Sequence, residues 1–320
     1  MRIGLIGNFR VPFTTENDLV WSLERLGHEV VRLQEDDYWV VAPLDIDLLI
    51  YVHTHGWVTP IDLLRYFEQL EANKIPTVSF HLDYFRGLEL RDDRQNLVGR
   101  HPFWKTKYVF SADGGSSDWF KERGINHFWL PPGVVERDCY FADPKEEFLH
   151  DVIFVGSRAY HPEWPNRPEL IDWLHLTYGA RFAHYGNDGR KVVRMDELNR
   201  LYRSVKIVVG DSINIGYKHP NYWSDRVPET TGRGGFLIHP NVEGLRKYHQ
   251  SVITYKYGDF NDLKSKIDCY LEDYVRREKL RLKQHIETKT LNTYTERMRT
   301  MLNKVAEFEP QIKEKLNEAN

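Results

Sequence analysis

The chain has 320 residues and a net charge of −3, with 41% hydrophobic and 28% charged residues, which suits folded α/β domains and leaves no apolar run of the roughly 20 residues a bilayer needs. Only Cys139 and Cys269 are present, far apart and without ligand-spaced neighbours, so a disulfide framework or zinc site is not expected and a reducing cytoplasm is. Residues 1–150 hold 16 Lys and Arg against 24 Asp and Glu; the remainder holds 28 against 23, so the second half is the better seat for an anionic ligand.

In chain order, Arg2 to Ile6 reads as a strand, Glu16 to Leu26 as a helix closed by Gly27, Glu29 to Leu33 and Leu48 to Val52 as strands, and Pro60 to Ala72 as a helix. Strands at Thr77 to Phe80 and Tyr108 to Ser111 follow, then a helix over Ser117 to Arg123 and a break at Pro131-Pro132-Gly133. This alternation is the doubly wound pattern. Residues 138–150 read as a polar linker, and a second α/β pattern begins at once: strand Val152 to Val155, helix Pro168 to Tyr178, strand Arg181 to Tyr185, helix Met195 to Ser204, strand Ile207 to Gly210. Strands at Gly235 to Ile238 and Ser251 to Tyr255 precede one long helix from Asn261 to about Glu287. A last helix from Thr293 to Val305 leads into a charged tail expected to fray.

The segment SDRVPETTGRGGFLIH, Ser224 to His239, carries the most chemistry. It sets Glu229 on a short helix ending in glycines before an apolar strand, where a carboxylate could accept from the two neighbouring hydroxyls of a ribose. Arg226, one turn earlier, could meet a diphosphate. A helix ending in Gly-Gly before a strand is also ordinary α/β punctuation. Gly156-Ser157 ends a strand ahead of a helix and could offer backbone N–H groups to phosphate, or be a plain strand-to-loop turn. Gly7-Asn8 holds the matching place after the first strand but lacks a G-x-G-x-x-G fingerprint, so NAD is not indicated. His81 and Asp83, at the end of a strand, are the candidates for catalysis: a general base in an inverting reaction, or positioning and charge stabilisation in a retaining one. Equally, Asp83 could cap a turn and His81 could be an interior histidine. His53 and His55 lack a third metal ligand at a telling spacing and suit an acceptor pocket better. Lys218 and His219 could reach phosphate or sugar from an otherwise exposed loop. Trp57 and Trp223 are the tryptophans placed to stack on a sugar.

Several segments taken together resemble the GT-B glycosyltransferases, and within them the spore-maturation (CgeB-like) group: DVIFVGSRAYHPEWPNRPELIDWL at 151–174, DELNRLYRSVKIVVG at 196–210, the Glu229 segment, YGDFNDLKSKIDCYLED at 257–273 and TLNTYTERMRTML at 290–302. The first half resembles that group only through its first strand and helix and VFSADGGSSDWFKERGI at 109–125. The resemblance implies two Rossmann-like domains facing a cleft, the acceptor domain at 1–140 and the donor domain at 150–287, with 288–320 a helix crossing back and a tail. By position Glu229 matches the ribose-binding glutamate, Arg226 the group's arginine, and Arg167 the arginine opening the helix after the glycine loop. The acidic residue that paired-glutamate retaining enzymes carry eight positions earlier is Asn221 here. The implied activity is metal-independent transfer of a sugar from a nucleotide diphosphate sugar, a UDP-sugar, to a hydroxyl of a small molecule or glycan, with no cofactor beyond that co-substrate. The alternatives are a DNA-modifying enzyme acting on hydroxymethylated bases, against which the acidic first half counts, and a catalytically silent nucleotide-sugar-binding protein.

Overall fold

The structure, a computed structural model, describes residues 1–37, 43–52, 60–82, 101–159, 166–212 and 221–318. His53, His55, Trp57, Asp83, Lys218 and His219 lie outside the described residues. The chain divides into two compact units, Met1–Val135 with Tyr294–Asn320, and Glu136–Thr293.

Among the described residues the first unit has one six-stranded parallel sheet, β1 (Arg2–Gly7), β2 (Glu29–Gln34), β3 (Leu48–Val52), β4 (Thr77–His81), β5 (Tyr108–Ser111) and β6 (His127–Trp129), in the order β2-β1-β3-β4-β5-β6. The central strands are buried along their length, which is why they read as unbroken apolar runs rather than alternating ones. Helix α1 (Thr15–Arg25) begins where the Thr14 side chain accepts from the Asn17 N–H. It ends at Gly27, whose φ of +81° lets the Gly27 and His28 N–H groups reach the carbonyls of Glu24 and Leu23. Helices α2 (Leu63–Ala72) and α3 (Ser117–Lys121) complete this part, and β6 is a strand that the aromatic run before the prolines had hidden.

The second unit has a five-stranded parallel sheet of β7 (Val152–Val155), β8 (Phe182–Tyr185), β9 (Ile207–Val209), β10 (Leu237–Pro240) and β11 (Ile253–Tyr255), in the order β11-β10-β9-β7-β8. Its helices are α4 (Asn166–Tyr178), α5 (Met195–Ser204), α6 (Arg226–Gly232), α7 (Phe260–Glu272) and α8 (Tyr274–Leu291). The single helix expected over Asn261 to Glu287 is two. Asp273 leaves helical geometry at ψ 82° and its side chain caps α8 by accepting from the Arg276 N–H, an Asp competing with the helix for its own backbone. Residues 136–150 hold two single-turn 3-10 helices, Glu136–Asp138 and Glu146–Phe148, and are fixed to this unit: Asn199 on α5 donates to the carbonyls of Asp138 and Tyr140, and Ser204 Oγ accepts from the Lys145 N–H.

The C-terminal helix α9 (Tyr294–Ala306) belongs to the first unit. Tyr294, Met298, Met301, Leu302 and Val305 join the core built on β1, β3, β4, β5 and α1, each such burial being worth about 1.5–3 kcal/mol. Leu291 lies exposed at the end of α8, and Arg297 on α9 is buried, its Nε donating to the Pro131 carbonyl at 2.8 Å. The tail does not fray: α10 (Pro310–Glu318) buries Ile312 completely in the same core, an apolar anchor that a charge-rich stretch concealed.

Candidate functional site

The carboxyl ends of β7, β9 and β10, the edge of a parallel sheet where ligands are held, gather an unusual set of charges. Gly156 follows β7 with φ +143°, a backbone that L side chains rarely adopt. A Cβ there would stand 2.5 Å from Nη2 of Arg226. Its carbonyl accepts from Nε2 of His184 at 2.6 Å. Arg226, the first residue of α6, donates from Nε to the Val155 carbonyl at 2.7 Å, and its guanidinium stands 5.4 Å from the Phe154 ring centre. Its Nη1 is buried with no hydrogen-bond partner among the described residues.

Arg167, on the first turn of α4, lies 5.9 Å from the same ring centre, donates from Nε to Asp211 at 2.9 Å and from Nη1 to the Ser157 carbonyl at 3.2 Å. Asp211, two residues beyond β9 and almost wholly buried, also accepts from Asn166 at 3.0 Å. Burial and the neighbouring Arg167 cation both pull the Arg226 pKa down, so added negative charge here would relieve a standing repulsion. His239 on β10 is fully buried; its Nδ1 donates to the Pro240 carbonyl at 2.8 Å while Nε2 has no hydrogen-bond partner among the described residues. Burial lowers its pKa to about 4, leaving a neutral ring with an acceptor nitrogen.

Glu229 lies one turn along α6 from Arg226, half-buried. Its Oε2 accepts from Nε of Arg233 at 2.5 Å, and Oε1 has no protein donor among the described residues. Burial pushes this carboxyl up and Arg233 pulls it back, with a net rise. Arg233, the C-cap of α6, is 6% exposed, and its other nitrogens reach Asp138, Asn199 Oδ1 at 2.7 Å and the Met195 carbonyl at 3.4 Å.

Of the residues expected from sequence, Gly156, Ser157, Arg167, Arg226 and Glu229 are in this second unit. The two arginines and the glycine loop form one cluster, in which Arg167 bonds to Asp211 and the Ser157 carbonyl and Arg226 to the Val155 carbonyl, while Arg226 Nη1 has no hydrogen-bond partner among the described residues. Gly7 and Asn8 are at the carboxyl end of β1 in the first unit, where Asn8 bonds within its own loop, Oδ1 accepting from the Arg10 N–H and the carbonyl from Thr14. His81 ends β4 as a residue 3% exposed, edge-on to Phe103 at 5.6 Å. Trp223 is not a sugar platform. It is fully buried beside the rings of Tyr248 and His249. Asn221 packs over Gly244, where a Cβ would fall 2.3 Å from its Oδ1.

Asp211, His239 and the Arg233 network were missed. The i, i+4 spacing of Glu229 and Arg233 was visible in the sequence; Asp211 and His239 lie in apolar runs that read as pure core, and only folding brings them beside Arg167 and Arg226. Among the described residues no group of three His, Cys, Asp or Glu side chains is placed to hold a metal ion, and no helix is long and apolar enough to cross a membrane.

The fold is shared with solved proteins across nearly the whole chain. An α-glucosyltransferase in complex with UDP and a 13-mer DNA containing an HMU base matches with TM-score 0.68 at 11% identity, over 95% of this chain and 98% of that one. Anabaena Alr3699/HepE in complex with UDP and glucose matches with TM-score 0.63 at 12% identity, over 96% and 99%. A structure from E. coli described as trehalose-6-phosphate bound with UDP-2-fluoro glucose matches with TM-score 0.62 at 10% identity, over 95% and 98%. These likenesses establish the GT-B architecture of two parallel sheets with flanking helices. No protein of curated function matches the sequence. The family described as glycosyl transferase-like matches residues 139–303, more than half of the chain, including Gly156, Arg167, Asp211, Arg226, Glu229 and Arg233, so the chain belongs to that family.

Proposed function

We propose that the protein transfers a sugar from a nucleotide diphosphate sugar, specifically a UDP-sugar, to a hydroxyl acceptor, with the donor held on the second unit. The observation that carries this reading is Glu229: one carboxylate oxygen is fixed by Arg233, on the helix whose first residue, Arg226, has a buried N–H group with no partner among the described residues, and the other oxygen bonds to no described residue. A ribose diol suits the former, and a diphosphate between Arg226 and Arg167 suits the latter. The similar solved proteins are in complex with UDP or with UDP-2-fluoro glucose, which supports uridine over other bases.

In the reaction the bond from the anomeric carbon to the diphosphate oxygen breaks, the acceptor oxygen bonds to that carbon, and UDP leaves with its charge met by the arginines. The acceptor proton passes to a basic group, for which Asp83 and His81 are the residues proposed, and Gly7, Asn8 and Lys218 complete the proposed donor-binding set. The reading includes transfer without a metal, a cytoplasmic location, and membership of the spore-maturation group on the strength of its motif set.

Titration of UDP by calorimetry tests the donor site. Glu229→Ala should weaken UDP at least ten-fold with little change in melting temperature, since charge-assisted hydrogen bonds of about 1.5–3 kcal/mol are lost from a half-buried position. Unchanged affinity would sink the assignment. A DNA acceptor is the second reading, favoured by the similarity to an α-glucosyltransferase solved with HMU-containing DNA. Salt-sensitive duplex binding at low ionic strength would support it, and its absence leaves a small molecule or glycan.

A further inference from the structure

Arg233 has no place in the sequence motif as a ligand-binding group, and it is too buried to be one: it is 6% exposed and spends its N–H groups on four protein acceptors. Those acceptors come from three places. Glu229 is on α6 itself, Asn199 and the Met195 carbonyl are on α5, and Asp138 is on the turn Glu136–Asp138, within three residues of the point where the chain passes between its units. Asn199 is itself pinned, donating to the carbonyls of Asp138 and Tyr140. A guanidinium held rigidly by this many partners can fix a carboxylate bonded to it in both rotamer and charge.

We propose that Arg233 is the positioning residue of the donor site, holding Glu229 ionised with one oxygen turned to the ribose, and that Asp138 and Asn199 serve it by locking the guanidinium in place. This rests on the reading of Glu229 as the ribose-binding group. The charge environment explains the need. Glu229 is raised by burial, and Asp225 ahead of α6 and Asp138 raise it further; Arg233 is the cation bonded to it, while Lys289 on α8 acts on the same neighbourhood through Cys139 and Tyr202 on α5 is neutral. Burial alone would lower the Arg233 pKa, but the carboxylates of Glu229 and Asp138 hold it above the usual arginine value, so it stays charged at any working pH. Removing Arg233 would take away the charge that lowers this carboxyl's pKa against its burial and leave the side chain free to rotate. A neutral carboxyl accepts less well from two hydroxyls.

The experiment compares UDP with 2′,3′-dideoxy-UDP by calorimetry between pH 6 and 9 on the wild type, Arg233→Gln, Arg233→Lys and Asp138→Asn. The wild type should prefer UDP at least ten-fold across that range. In Arg233→Gln the preference should collapse to about two-fold at pH 6 and recover partly as pH rises, while affinity for the dideoxy compound, which makes no ribose contact, holds within about two-fold. Arg233→Lys should restore charge but not geometry and give an intermediate ratio. A merely structural Arg233 would lower both affinities together, without pH dependence. Should Arg233→Gln fail to fold, Asp138→Asn, a partly exposed position, carries the test with a smaller loss of the same kind. A full UDP preference at every pH in the variants overturns the role of Arg233 alone. A wild type that binds UDP and its dideoxy analogue equally overturns the reading of Glu229 and this inference with it.

Discussion

The Tyr108 hydroxyl on β5 donates to Oε1 of Glu309 at 2.7 Å across 201 residues of sequence, and the same carboxylate pairs with Lys107 and accepts from Gln311. The C-terminal residues are thereby part of the first unit rather than an appendage. Ile312 is fully buried, Lys315 pairs with Asp47, and Gln311 donates to the Lys74 carbonyl.

Deletion of 309–320 should therefore destabilise the chain. The lost hydrogen bond to a charged group and the emptied Ile312 site together should cost about 3–5 kcal/mol, read as a fall in the urea midpoint. A deletion variant that unfolds at the wild-type midpoint would show that α10 contributes nothing to the core.

Met298 and Met301 lie on α9 with no exposure, facing α1 and the strands of the first sheet. Met298→Ala should cost about 2–5 kcal/mol by leaving a cavity between helix and sheet, whereas Leu291→Ala, at a position 58% exposed, should be within about 0.5 kcal/mol of wild type. Equal effects of the two substitutions on the urea midpoint would contradict the packing described.

Strand and helix identities were legible because burial on both sides of a parallel sheet writes unbroken apolar runs such as Leu48 to Val52, and because Thr14 and Gly27 punctuate α1. The chain-order motif around Glu229 was legible for the same local reason. What sequence could not display is the partner of each charge. Arg226 and Arg167 read as free phosphate ligands, but Val155 and Ser157 present strand-end carbonyls to them, and Asp211 comes from 44 residues further along to meet Arg167. Ile312 was missed because it and Leu316, four residues on, are the apolar residues of a short stretch of lysines and glutamates, too few to establish a period.

Arg226→Ala should weaken UDP at least ten-fold and leave uridine within about two-fold, because only the diphosphate brings charge to the guanidinium that stands unrelieved beside Arg167. Since Arg226 also serves the Val155 carbonyl, the melting temperature should fall modestly as well. Equal losses for UDP and uridine in calorimetry would assign Arg226 to structure alone.

Glu35, just beyond β2, supplies a pH-dependent prediction. It is 1% exposed, both carboxyl oxygens lack a hydrogen-bond partner among the described residues, and its N–H bonds to the carbonyl of Gly7, the glycine beside which Glu16 packs. Burial, followed by the Glu16 and Asp36 charges, raises its pKa to about 7. A carboxyl that is harder to ionise in the folded chain than in the unfolded one holds a proton that unfolding releases between pH 4.5 and 7. Its contribution to stability is therefore best below that window, declines as pH rises through it, and is flat above about 7. Glu35→Gln removes the ionisation while keeping the shape. The variant should exceed wild type by about 1–3 kcal/mol at pH 8, with the gap closing toward pH 4. His28 and His239, buried and neutral with pKa values lowered to about 4, destabilise both proteins alike in acid and cancel in the difference. Urea midpoints of the pair measured from pH 4 to 8 decide the matter: a gap that is constant, or that widens toward acid, would mean Glu35 is ionised in the folded protein at neutral pH.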